Sequence, residues 1–370
     1  MKIAIQAADL DAKRIDGTRV YILNLLKNFG KLDPSSEFVI YHQKDFNPEL
    51  TPPNFPNYLF RKIPLPFYWT QSRFAFELWK DQPRILWMPM QTMPFVRRGG
   101  LRTVITIHDL AFKYFPKYFE QKDLIKLNLF SDYAIKNANK IIAVSESTKK
   151  DILKFYPEIR EEKVKVIYHG FDEERFSGER NLEEEKEVLK RFSISKKYIL
   201  YVGAIQPRKN LKVLIRAFEK IKKEKPDIQL VLAGGEAWLS QDVLKAAQKS
   251  IFKDDIKLTR KITFKDVGNL MKAAEVFVFP SLYEGFGLPI LEAFASKIPV
   301  ITANNSSLIE VGGDAALYFE ATNENELADK IKKVLDDENL RNDLIQKGAE
   351  QLKKFSWEKC AQETLEYLKD

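Results

Sequence analysis

The chain alternates short runs of β-branched and aromatic residues with longer amphipathic segments, and it does so in both halves. Such alternation is typical of parallel sheets covered by helices. The first half has strand candidates at Lys2–Ala7, Glu37–Tyr41, Ile85–Pro89, Arg102–His108, Lys140–Ser145 and Lys163–Tyr168. The second half has them at Tyr198–Val202, Gln229–Ala233, Ile262–Phe264, Val276–Phe279 and Val300–Thr302. Each half is therefore predicted to be a doubly wound α/β unit.

The length of 370 residues also favours two domains, because single cores stop growing near about 250–300 residues. The charged stretch Glu173–Lys190 is the best candidate for a linker. The predicted domains are residues 1–172 and 173–354. Residues 355–370 are predicted to form an amphipathic helix with Ser356 as its cap.

Composition excludes several classes of protein. An aromatic content of 12% excludes low-complexity disorder. The single cysteine, Cys360, excludes a disulfide scaffold and favours the reducing cytoplasm. No apolar run approaches the roughly 20 residues of a membrane span, and the N-terminus begins with a strand, so no signal peptide is predicted. Three histidines and one cysteine make a zinc site improbable, and no metal or other cofactor is predicted.

The net charge of +8 is concentrated in the first half. Residues 1–172 contain 27 Lys and Arg against 19 Asp and Glu, whereas the remainder contains 33 of each. Nucleic acid, an anionic membrane surface and an anionic substrate could each explain this excess, and so could an ordinary solvated surface. No long basic stretch or RNA-binding aromatic motif is present, so nucleic acid is not predicted as a partner.

Residues 52–98 combine many prolines with aromatic and basic side chains. Such a segment could lie on a lipid surface. The alternative, an ordinary core with proline-rich connections, is the favoured interpretation. The sequence leaves both readings open, with peripheral membrane association as the minor one.

The strongest chemical signal lies at 279–292, which reads FPSLYEGFGLPILE. A strand is predicted to end at Phe279, and Pro289 suits the first turn of a helix. The N-terminus of that helix would present N–H groups to an anion, and glycines at 285 and 287 would allow close approach. Glu284 would lie in the loop and Glu292 about one turn inside the helix. The two carboxylates would then flank one ligand site.

A second candidate site, VGAIQPRKN at 202–210, follows a predicted strand and opens a predicted helix at 211–224. Asn210 is the predicted cap of that helix. Arg208 and Lys209 lie at the helix start, where the helix dipole disfavours cations. An anionic partner such as a diphosphate is therefore the more economical explanation.

These motifs resemble the retaining glycosyltransferases of family four, which have the GT-B fold. Glu284 and Glu292 match the Glu-x7-Glu signature of that family, with seven residues between them. The resemblance covers most of the chain through PVIT at 299–302, GDAAL at 313–317, AVSESTK at 143–149 and VIYHGFD at 166–172. The segment TIHDL at 106–110, followed by FKYFP, is similar to bacterial mannosyltransferases that build surface polysaccharides.

The resemblance implies two Rossmann-like domains facing a cleft, with the C-terminal helix returning to the N-terminal domain. Residues 1–172 would be the acceptor side and residues 173–354 the nucleotide-sugar side. The implied reaction moves a sugar from a nucleoside-diphosphate donor to a hydroxyl of a saccharide or lipid-linked saccharide. Subgroup similarity favours mannose from GDP-mannose, and no metal would be needed.

The resemblance also implies roles for individual residues in the second half. Glu292 would bind the donor ribose, and Glu284 would bind the donor sugar beside the reacting carbon. Lys209 matches the phosphate-binding lysine, and Arg208 would replace the arginine that many relatives carry where this chain has Ala204. The remaining implied contacts to the donor come from Gly203, Gly285, Phe286, Gly287 and Leu288.

In the first half, the resemblance places His108 in the cleft as a catalytic residue. A lone histidine at the end of a strand is otherwise more often structural. Gly17 matches a glycine of a loop that contacts the donor phosphates, with Arg19 near the place of the second glycine. Asp9-Leu-Asp11 matches the Asp-x-Asp string of metal-dependent enzymes with another fold and is interpreted as chance. The polar turn at 304–307 could line the nucleotide site or cap the next helix.

Other functions remain open on the residues alone. A sugar-nucleotide epimerase of the same fold would use acid–base groups and no acceptor, and a basic binding protein would show steep salt dependence. A dinucleotide oxidoreductase is not favoured, because no Gly-x-Gly-x-x-Gly follows the first strand of either half.

Overall fold

The chain folds into two compact units in a computed structural model that describes residues 1–65, 67–237, 239–260 and 262–370. Unit 1 contains Met1–Tyr114, Glu120–Gly170 and Ser356–Asp370. Unit 2 contains Phe115–Phe119 and Phe171–Phe355. The chain passes between the units after Gly170, slightly before the predicted boundary at residue 172. The short segment Phe115–Phe119 groups with unit 2, although it lies within the first half of the sequence.

Unit 1 is built on a parallel β-sheet. Its described strands are β1 Lys2–Gln6, β2 Glu37–His42, β3 Tyr58–Lys62, β4 Ile85–Met88, β5 Arg102–Ile107, β6 Lys140–Ala143 and β7 Val164–Val166. They pair in the order β3-β2-β1-β4-β5-β6-β7. The order reverses between β1 and β4, which is the topological switch point of a doubly wound sheet.

Helices cover this sheet, as the alternating pattern predicts. The described helices of unit 1 are α1 Gly17–Leu32, α2 Arg73–Asp81, α3 Ala111–Tyr114, α4 Gln121–Asn137, α5 Glu146–Phe155 and α15 Trp357–Lys369. Large side chains such as Phe29, Phe38 and Trp87 are fully buried between the layers. Burial of this apolar surface is the main stabilising contribution.

The terminal helix α15 belongs to unit 1, as predicted, and Ser356 accepts a hydrogen bond from the Lys359 N–H as its cap. It packs along α1. The Tyr367 hydroxyl donates to the carbonyl of Lys163 at 2.8 Å. Lys369 forms an ion pair with the buried Asp33 at 2.7 Å.

Unit 2 repeats the architecture. Its described strands are β8 Lys197–Val202, β9 Ile228–Ala233, β10 Ile256–Leu258, β11 Val276–Phe279, β12 Val300–Ala303 and β13 Ala316–Phe319. They pair in parallel in the order β10-β9-β8-β11-β12-β13, with the switch point between β8 and β11. The described helices are α6 Glu173–Ser177, α7 Leu182–Arg191, α8 Leu211–Glu224, α9 Gln241–Lys249, α10 Phe264–Ala273, α11 Leu288–Ala295, α12 Leu308–Gly312, α13 Glu324–Asp336 and α14 Glu338–Leu352.

Two sequence predictions are wrong. The proposed linker 173–190 is largely helical, because Asp172 caps α6 and Asn181 caps α7. The proposed strand Ile262–Phe264 is the start of α10. There Thr263 and Asp266 form a capping box, in which each side chain accepts from the backbone N–H of the other residue.

Three short strands, β3, β10 and β13, were not predicted. All three lie at sheet edges or next to them. The residues 52–98 thus contain a strand, β3, and a helix, α2, with proline-rich connections between them. Within the described part of the chain, no helix combines the length and apolarity that crossing a bilayer requires.

Candidate active site

The glycine loop of unit 2 has the predicted geometry. Strand β11 ends at Phe279 and helix α11 begins at Leu288, with Pro289 in its first turn. The residue before the helix, Gly287, has a φ of 115°, a left-handed value that L-amino acids with side chains rarely adopt. Because glycine carries no side-chain acceptor, the N-terminus of α11 is not capped by its own N-cap residue. This arrangement is suited to an anion.

Glu284 is buried in this loop between two cations of another turn. It is 9% exposed. Its Oε1 lies 2.5 Å from Lys209 Nζ, and its Oε2 lies 3.3 Å from Arg208 Nη1. Burial by itself would raise the pKa of Glu284, but the charges of Lys209 and Arg208 outweigh it and lower the pKa below its ordinary value. Glu284 is therefore held as a carboxylate.

The turn that carries the cations is fixed to the glycine loop. Pro207–Lys209 form a 3-10 turn after β8. The carbonyl of Arg208 accepts from the N–H of Leu282 at 2.9 Å, and its guanidinium donates to the carbonyl of Tyr283. Lys209 Nζ also lies 5.1 Å from the centroid of the Phe279 ring. The two candidate sites recognised separately in the sequence thus form one site.

Asn210 does not cap α8 as predicted. It has a φ of 58°, and its side chain makes no capping hydrogen bond. Its amide instead donates to the carbonyls of Pro280 at 3.1 Å and Ala321 at 2.7 Å. Asn210 therefore ties the start of α8 to the glycine loop.

Glu292 lies on α11 and is partly buried, close to Asp172 and Arg175 at the start of α6. Burial raises the pKa of its carboxyl group to about 7, against a smaller opposing effect of Arg175. The two carboxylates of the signature therefore differ. Glu284 is ionised by its cations, whereas Glu292 changes charge near neutral pH.

A serine pair in the turn between β12 and α12 braces the loop. Ser306 Oγ accepts from the Glu284 N–H at 3.0 Å. Ser307 Oγ lies within hydrogen-bond distance of two carbonyls, those of Glu284 at 2.9 Å and Phe286 at 2.7 Å. Asn305 donates to the carbonyl of Ser281 at 3.0 Å. The sequence interpretation of this turn, as nucleotide contact or helix cap, missed this bracing role.

Phe286 packs inside unit 2, and Gly203 allows two backbone segments to approach each other closely. Phe286 is buried, and its ring meets that of Phe355 edge-on at 5.8 Å. Gly203 follows β8 with a φ of 149°, and a Cβ there would lie 2.6 Å from the Tyr201 hydroxyl oxygen. A Cβ on Gly234, which follows β9, would lie only 2.0 Å from the carbonyl oxygen of Gly203. Side chains are therefore excluded beside the cation-bearing turn.

The first-half candidates lie in unit 1. His108 follows β5, and its Nε2 lies 2.8 Å from the carbonyl oxygen of Pro89. Burial lowers the pKa of His108, so it is neutral at pH 7. Its ring meets Tyr21 edge-on at 5.1 Å and lies 5.7 Å from His169. The catalytic role of His108 stays a prediction.

Gly17 is the first residue of α1, and Asp16 is the cap of that helix. The Asp16 carboxylate accepts from the Arg19 N–H at 3.3 Å and pairs with the Arg19 guanidinium. Asp9 pairs with Arg19 at 3.8 Å, and Asp11 accepts from the Gln43 N–H at 2.8 Å. The Asp9-Leu-Asp11 string therefore organises the loop. Among the residues that the structure describes, no cluster of three or more histidine, cysteine or acidic side chains could hold a metal ion.

Comparison with known families matches nearly the whole chain. Residues 180–351 match the family model of glycosyl transferases group 1, and residues 15–175 match that of Glycosyltransferase Family 4. The chain is a glycosyltransferase. The sequence around Glu284 and Glu292 predicted membership of glycosyltransferase family four, and the match to the family model confirms this prediction.

Curated relatives of this glycosyltransferase include bacterial and archaeal enzymes. O-antigen chain mannosyltransferase B of Escherichia coli is 29% identical over 272 residues, which cover 72% of this chain and 70% of the relative. O-antigen chain mannosyltransferase RfbU of Salmonella typhimurium is 28% identical, with 72% and 69% covered. An uncharacterised glycosyltransferase of Methanocaldococcus jannaschii, MJ1178, is 31% identical, with 65% and 62% covered.

Solved structures confirm the fold of the glycosyltransferase. Anabaena Alr3699/HepE in complex with UDP and glucose aligns over 100% of both chains with a TM-score of 0.76 at 17% identity. WaaG, a glycosyltransferase involved in lipopolysaccharide biosynthesis, aligns over 99% of both chains with a TM-score of 0.74 at 15% identity. The predicted α/β fold of the GT-B class, with two Rossmann-like domains, is therefore correct.

Proposed function

We propose that this glycosyltransferase moves a sugar from a nucleoside-diphosphate donor to a hydroxyl of a saccharide or lipid-linked saccharide, with retention of the anomeric configuration. The observation that carries the proposal is the buried Glu284, held between Lys209 and Arg208 beside the uncapped start of α11. A carboxylate for sugar hydroxyls and two cations for a diphosphate are thus brought together in unit 2.

GDP-mannose is the proposed donor, and surface-polysaccharide synthesis is the proposed setting. Support comes from the relatives in Escherichia coli and Salmonella typhimurium, which are O-antigen mannosyltransferases. A nucleotide donor is supported by the structural neighbour that holds UDP and glucose. The sugar is assigned by similarity to the two mannosyltransferases, and the guanine base follows only from the resemblance of the sequence motifs to their subgroup. The diphosphate is assigned from the cations of this chain.

Donor binding would redistribute the charges around Glu284. The diphosphate would approach Lys209 and Arg208, and the N–H groups at 286–288 would contact its oxygens. Glu284 would remain ionised, because the same cations lower the pKa of its carboxyl group. Its carboxylate would accept hydrogen bonds from the sugar hydroxyls, and Glu292 would accept them from the ribose.

The transfer step would break the bond between the anomeric carbon and the diphosphate oxygen. The acceptor oxygen would form its bond to that carbon on the same face, and its proton would pass to the departing diphosphate. Lys209 and Arg208 would stabilise the negative charge on the leaving group, which is larger in the transition state than in the bound donor. Glu284 would stabilise the positive charge developing on the sugar ring.

This chemistry would need no metal ion, because the two cations and the helix N-terminus neutralise the diphosphate. Activity should persist in excess chelator. Activity that EDTA abolishes and Mg²⁺ or Mn²⁺ restores would contradict this part of the proposal.

The donor can be identified by thermal unfolding with a panel of nucleotide sugars. A specific donor at 100 times its Kd should stabilise the protein by about 2.7 kcal/mol. NMR of the first product from an α-linked donor then gives the stereochemistry, and a β-linked product would overturn retention. If no nucleotide sugar of the panel stabilised the protein and none served as a donor for sugar transfer, the proposed reaction would be overturned.

A further inference from the structure

We propose that unit 1 docks onto an anionic lipid bilayer through one apolar face rimmed by cations. We call this surface the apolar face of unit 1. It consists of Phe67, Tyr68, Phe76, Trp79, Phe95, Val96, Ile125 and Leu129. The inference concerns binding of the protein to lipid and is independent of the proposed donor and stereochemistry.

All of the exposed aromatic side chains among the described residues lie in unit 1, and all but Tyr114 belong to this face. They are Phe67, Tyr68, Phe76, Trp79, Phe95 and Tyr114, all of unit 1. Phe67 is 75% exposed and Tyr68 is 78% exposed. Aromatic rings bury large apolar areas when they can. Their concentration on one surface therefore indicates a contact that the isolated chain does not make.

Buried neighbours hold these rings in solvent-exposed positions. Trp69 and Phe74 stack inside unit 1 with ring centroids 4.8 Å apart, which anchors the turn and the start of α2. The adjacent Tyr68 adopts a φ of 47°, which is uncommon for a bulky residue, and its ring points away from the core. Phe76 and Trp79 are three residues apart on α2 and so lie on one side of the helix.

The apolar face of unit 1 continues from α2 to α4 because hydrogen bonds and ring contacts join the segments between them. Gln71 accepts from the Phe95 N–H at 2.8 Å and donates to the carbonyl of Met93 at 3.1 Å. The Phe95 ring stacks on Phe130 of α4 at 5.6 Å and meets Tyr133 edge-on at 4.6 Å. The surface is therefore continuous across these segments.

On α4 itself, Ile125 and Leu129 are four residues apart, and they are 62% and 56% exposed. Residues with this spacing lie on one side of a helix. Tyr133 follows after four more residues, so this side of α4 leads directly to the Phe95 ring.

Cations lie on the same segments as the apolar residues. Arg73 lies over the Phe76 ring at 5.9 Å and Arg97 over the Tyr133 ring at 5.8 Å. Lys80 follows Trp79 on α2, and Lys122 and Lys126 lie on α4 with Ile125. The carboxylates among them are Asp123, Glu77 and Glu120, of which Glu77 pairs with Arg73 at 2.8 Å and Glu120 with Lys122 at 2.8 Å. Positive charge is therefore in excess, in line with the concentration of the net charge in the first half of the sequence.

An anionic bilayer matches this combination better than a protein partner. Tryptophan and tyrosine favour the boundary between headgroups and acyl chains, where aliphatic residues reach the hydrocarbon. Lysine and arginine beside them attract anionic headgroups. A protein surface would have to be both apolar and acidic to match the same face.

Vesicle flotation tests the proposal with the full chain and no sugar nucleotide. We expect the protein to float with vesicles of phosphatidylcholine and phosphatidylglycerol, and to stay behind with phosphatidylcholine alone. Phe76→Ser with Trp79→Ser should weaken binding by about tenfold or more, because two exposed rings no longer insert. Lys80→Gln with Lys126→Gln should weaken it by about fivefold for each lysine removed.

Matched controls lie in unit 2. Leu182→Ser with Ile251→Ser removes exposed apolar side chains, and Lys245→Gln with Lys249→Gln removes exposed lysines. Both controls should bind vesicles like the wild type, and the altered residues are exposed, so thermal unfolding should be unchanged in all four variants. Nucleotide-sugar binding, measured separately, should also be unchanged, which separates this test from the proposed reaction.

Three results would overturn the proposal. The first is no flotation of the wild type at low salt, and the second is equal binding by the Phe76–Trp79 variant. The third is a wild-type dimer that this variant converts to a monomer, since a second copy would then cover the face.

Discussion

Helices α1 and α11 each follow a parallel strand, and each has a glycine at its first residue or directly before it, but the two starts differ in charge. At α1, Asp16 precedes Gly17 and accepts from the Arg19 N–H. At α11, Gly287 precedes the first helical residue and has no side chain to offer. The first helix start thus carries its own anion, whereas the second does not.

The comparison shows that a glycine at a helix start is a weak guide to ligand binding. Asp16 occupies the position that a phosphate would take at α1, and its charge would repel one. At α11, the nearby carboxylate Glu284 is paired with two cations, Lys209 and Arg208, so one positive charge is left in excess. The donor contact of Gly17 therefore stays a prediction, and the start of α11 is the stronger candidate.

The largest effect is expected when the charge beside α11 is removed. Glu284→Gln keeps the shape of the side chain but leaves Lys209 and Arg208 without their carboxylate. Turnover should fall by about 10²–10³-fold, the usual loss of an electrostatic contact in the transition state. Steady-state kinetics gives the loss, and mass spectrometry of the wild-type enzyme incubated with donor should find no glycosylated protein.

A matched control is Glu324→Gln, because Glu324 also pairs with two cations, Arg216 and Lys220, each at 3.2 Å. Turnover of this variant should equal that of the wild type. Equal losses in both variants would show that paired glutamates matter only for stability. A glycosyl adduct on Glu284 of the wild-type enzyme would contradict same-face transfer.

The pKa of Glu292 predicts a pH dependence of donor binding. Its carboxyl group has a pKa of about 7, and ribose hydroxyls donate to the carboxylate form. Nucleoside-diphosphate affinity should therefore rise about tenfold from pH 6 to pH 8, as for one titrating group. Calorimetry measures the affinity, and Glu292→Gln should be weaker by about 1–3 kcal/mol and nearly independent of pH.

The same group affects the stability of the ligand-free protein with the opposite sign. Because folding raises the pKa of Glu292 above its ordinary value of 4.5, the folded protein holds this proton more tightly. The contribution of protonated Glu292 to the free energy of unfolding is then lost as pH rises through about 7. A wild-type donor affinity that is flat across this range would rule out titration of Glu292.

A smaller effect on activity is expected when Ser307, whose hydroxyl holds the glycine loop, is replaced. Ser307→Ala removes a buried hydroxyl whose single proton can be donated to the carbonyl of Glu284 or of Phe286, so the free energy of unfolding should fall by about 1–3 kcal/mol. Because the loop carrying Glu284 is loosened, kcat should fall more than donor affinity. Chemical denaturation and kinetics measure the two effects.

The control for the brace is Ser296→Ala. The Ser296 hydroxyl is also buried and donates at 2.8 Å, but to the carbonyl of Glu292 in α11, the helix that Ser296 directly follows. It should lower stability with little change in kcat. Indistinguishable kcat values for the two serine variants would contradict a positioning role for Ser307.

The smallest effect is expected at α1. Asp16→Ala removes a helix cap and should lower the free energy of unfolding by about 1 kcal/mol. Donor affinity should not decrease, because the variant removes a negative charge from a helix start. A clear loss of affinity would show that Asp16 itself supports the donor and would break the contrast with α11.

The sequence predicted the features of the site that depend on local pattern. The end of β11, the position of Pro289 and the limits of α8 at Leu211–Glu224 all follow from the spacing of apolar residues, glycines and prolines. The placement of Glu284 before the helix and Glu292 within it follows from the same pattern.

The features that were missed depend on contacts distant in sequence. Ser307 reaches residues 284 and 286 across neighbouring strands, and Asn210 reaches residues 280 and 321. Small polar residues in a turn fit many local roles, so their partners are not encoded locally. Residues 262–264 were wrongly predicted as a strand because β-branched Ile262 and Thr263 outweighed the capping signal, which a Thr-x-x-Asp search would have found.

The position of α15 in unit 1 has a consequence for biosynthesis. The residues of unit 1 are not contiguous, since Ser356–Asp370 complete it after the residues 171–355 of unit 2. During translation, α1 therefore emerges early but cannot bury the surface that contacts α15 until the last of these residues leave the ribosome. Unit 2 can form from an almost continuous stretch before that moment. A released chain truncated shortly before residue 356 would thus contain a formed unit 2 and an incomplete unit 1, which would make it a target for chaperones and proteases.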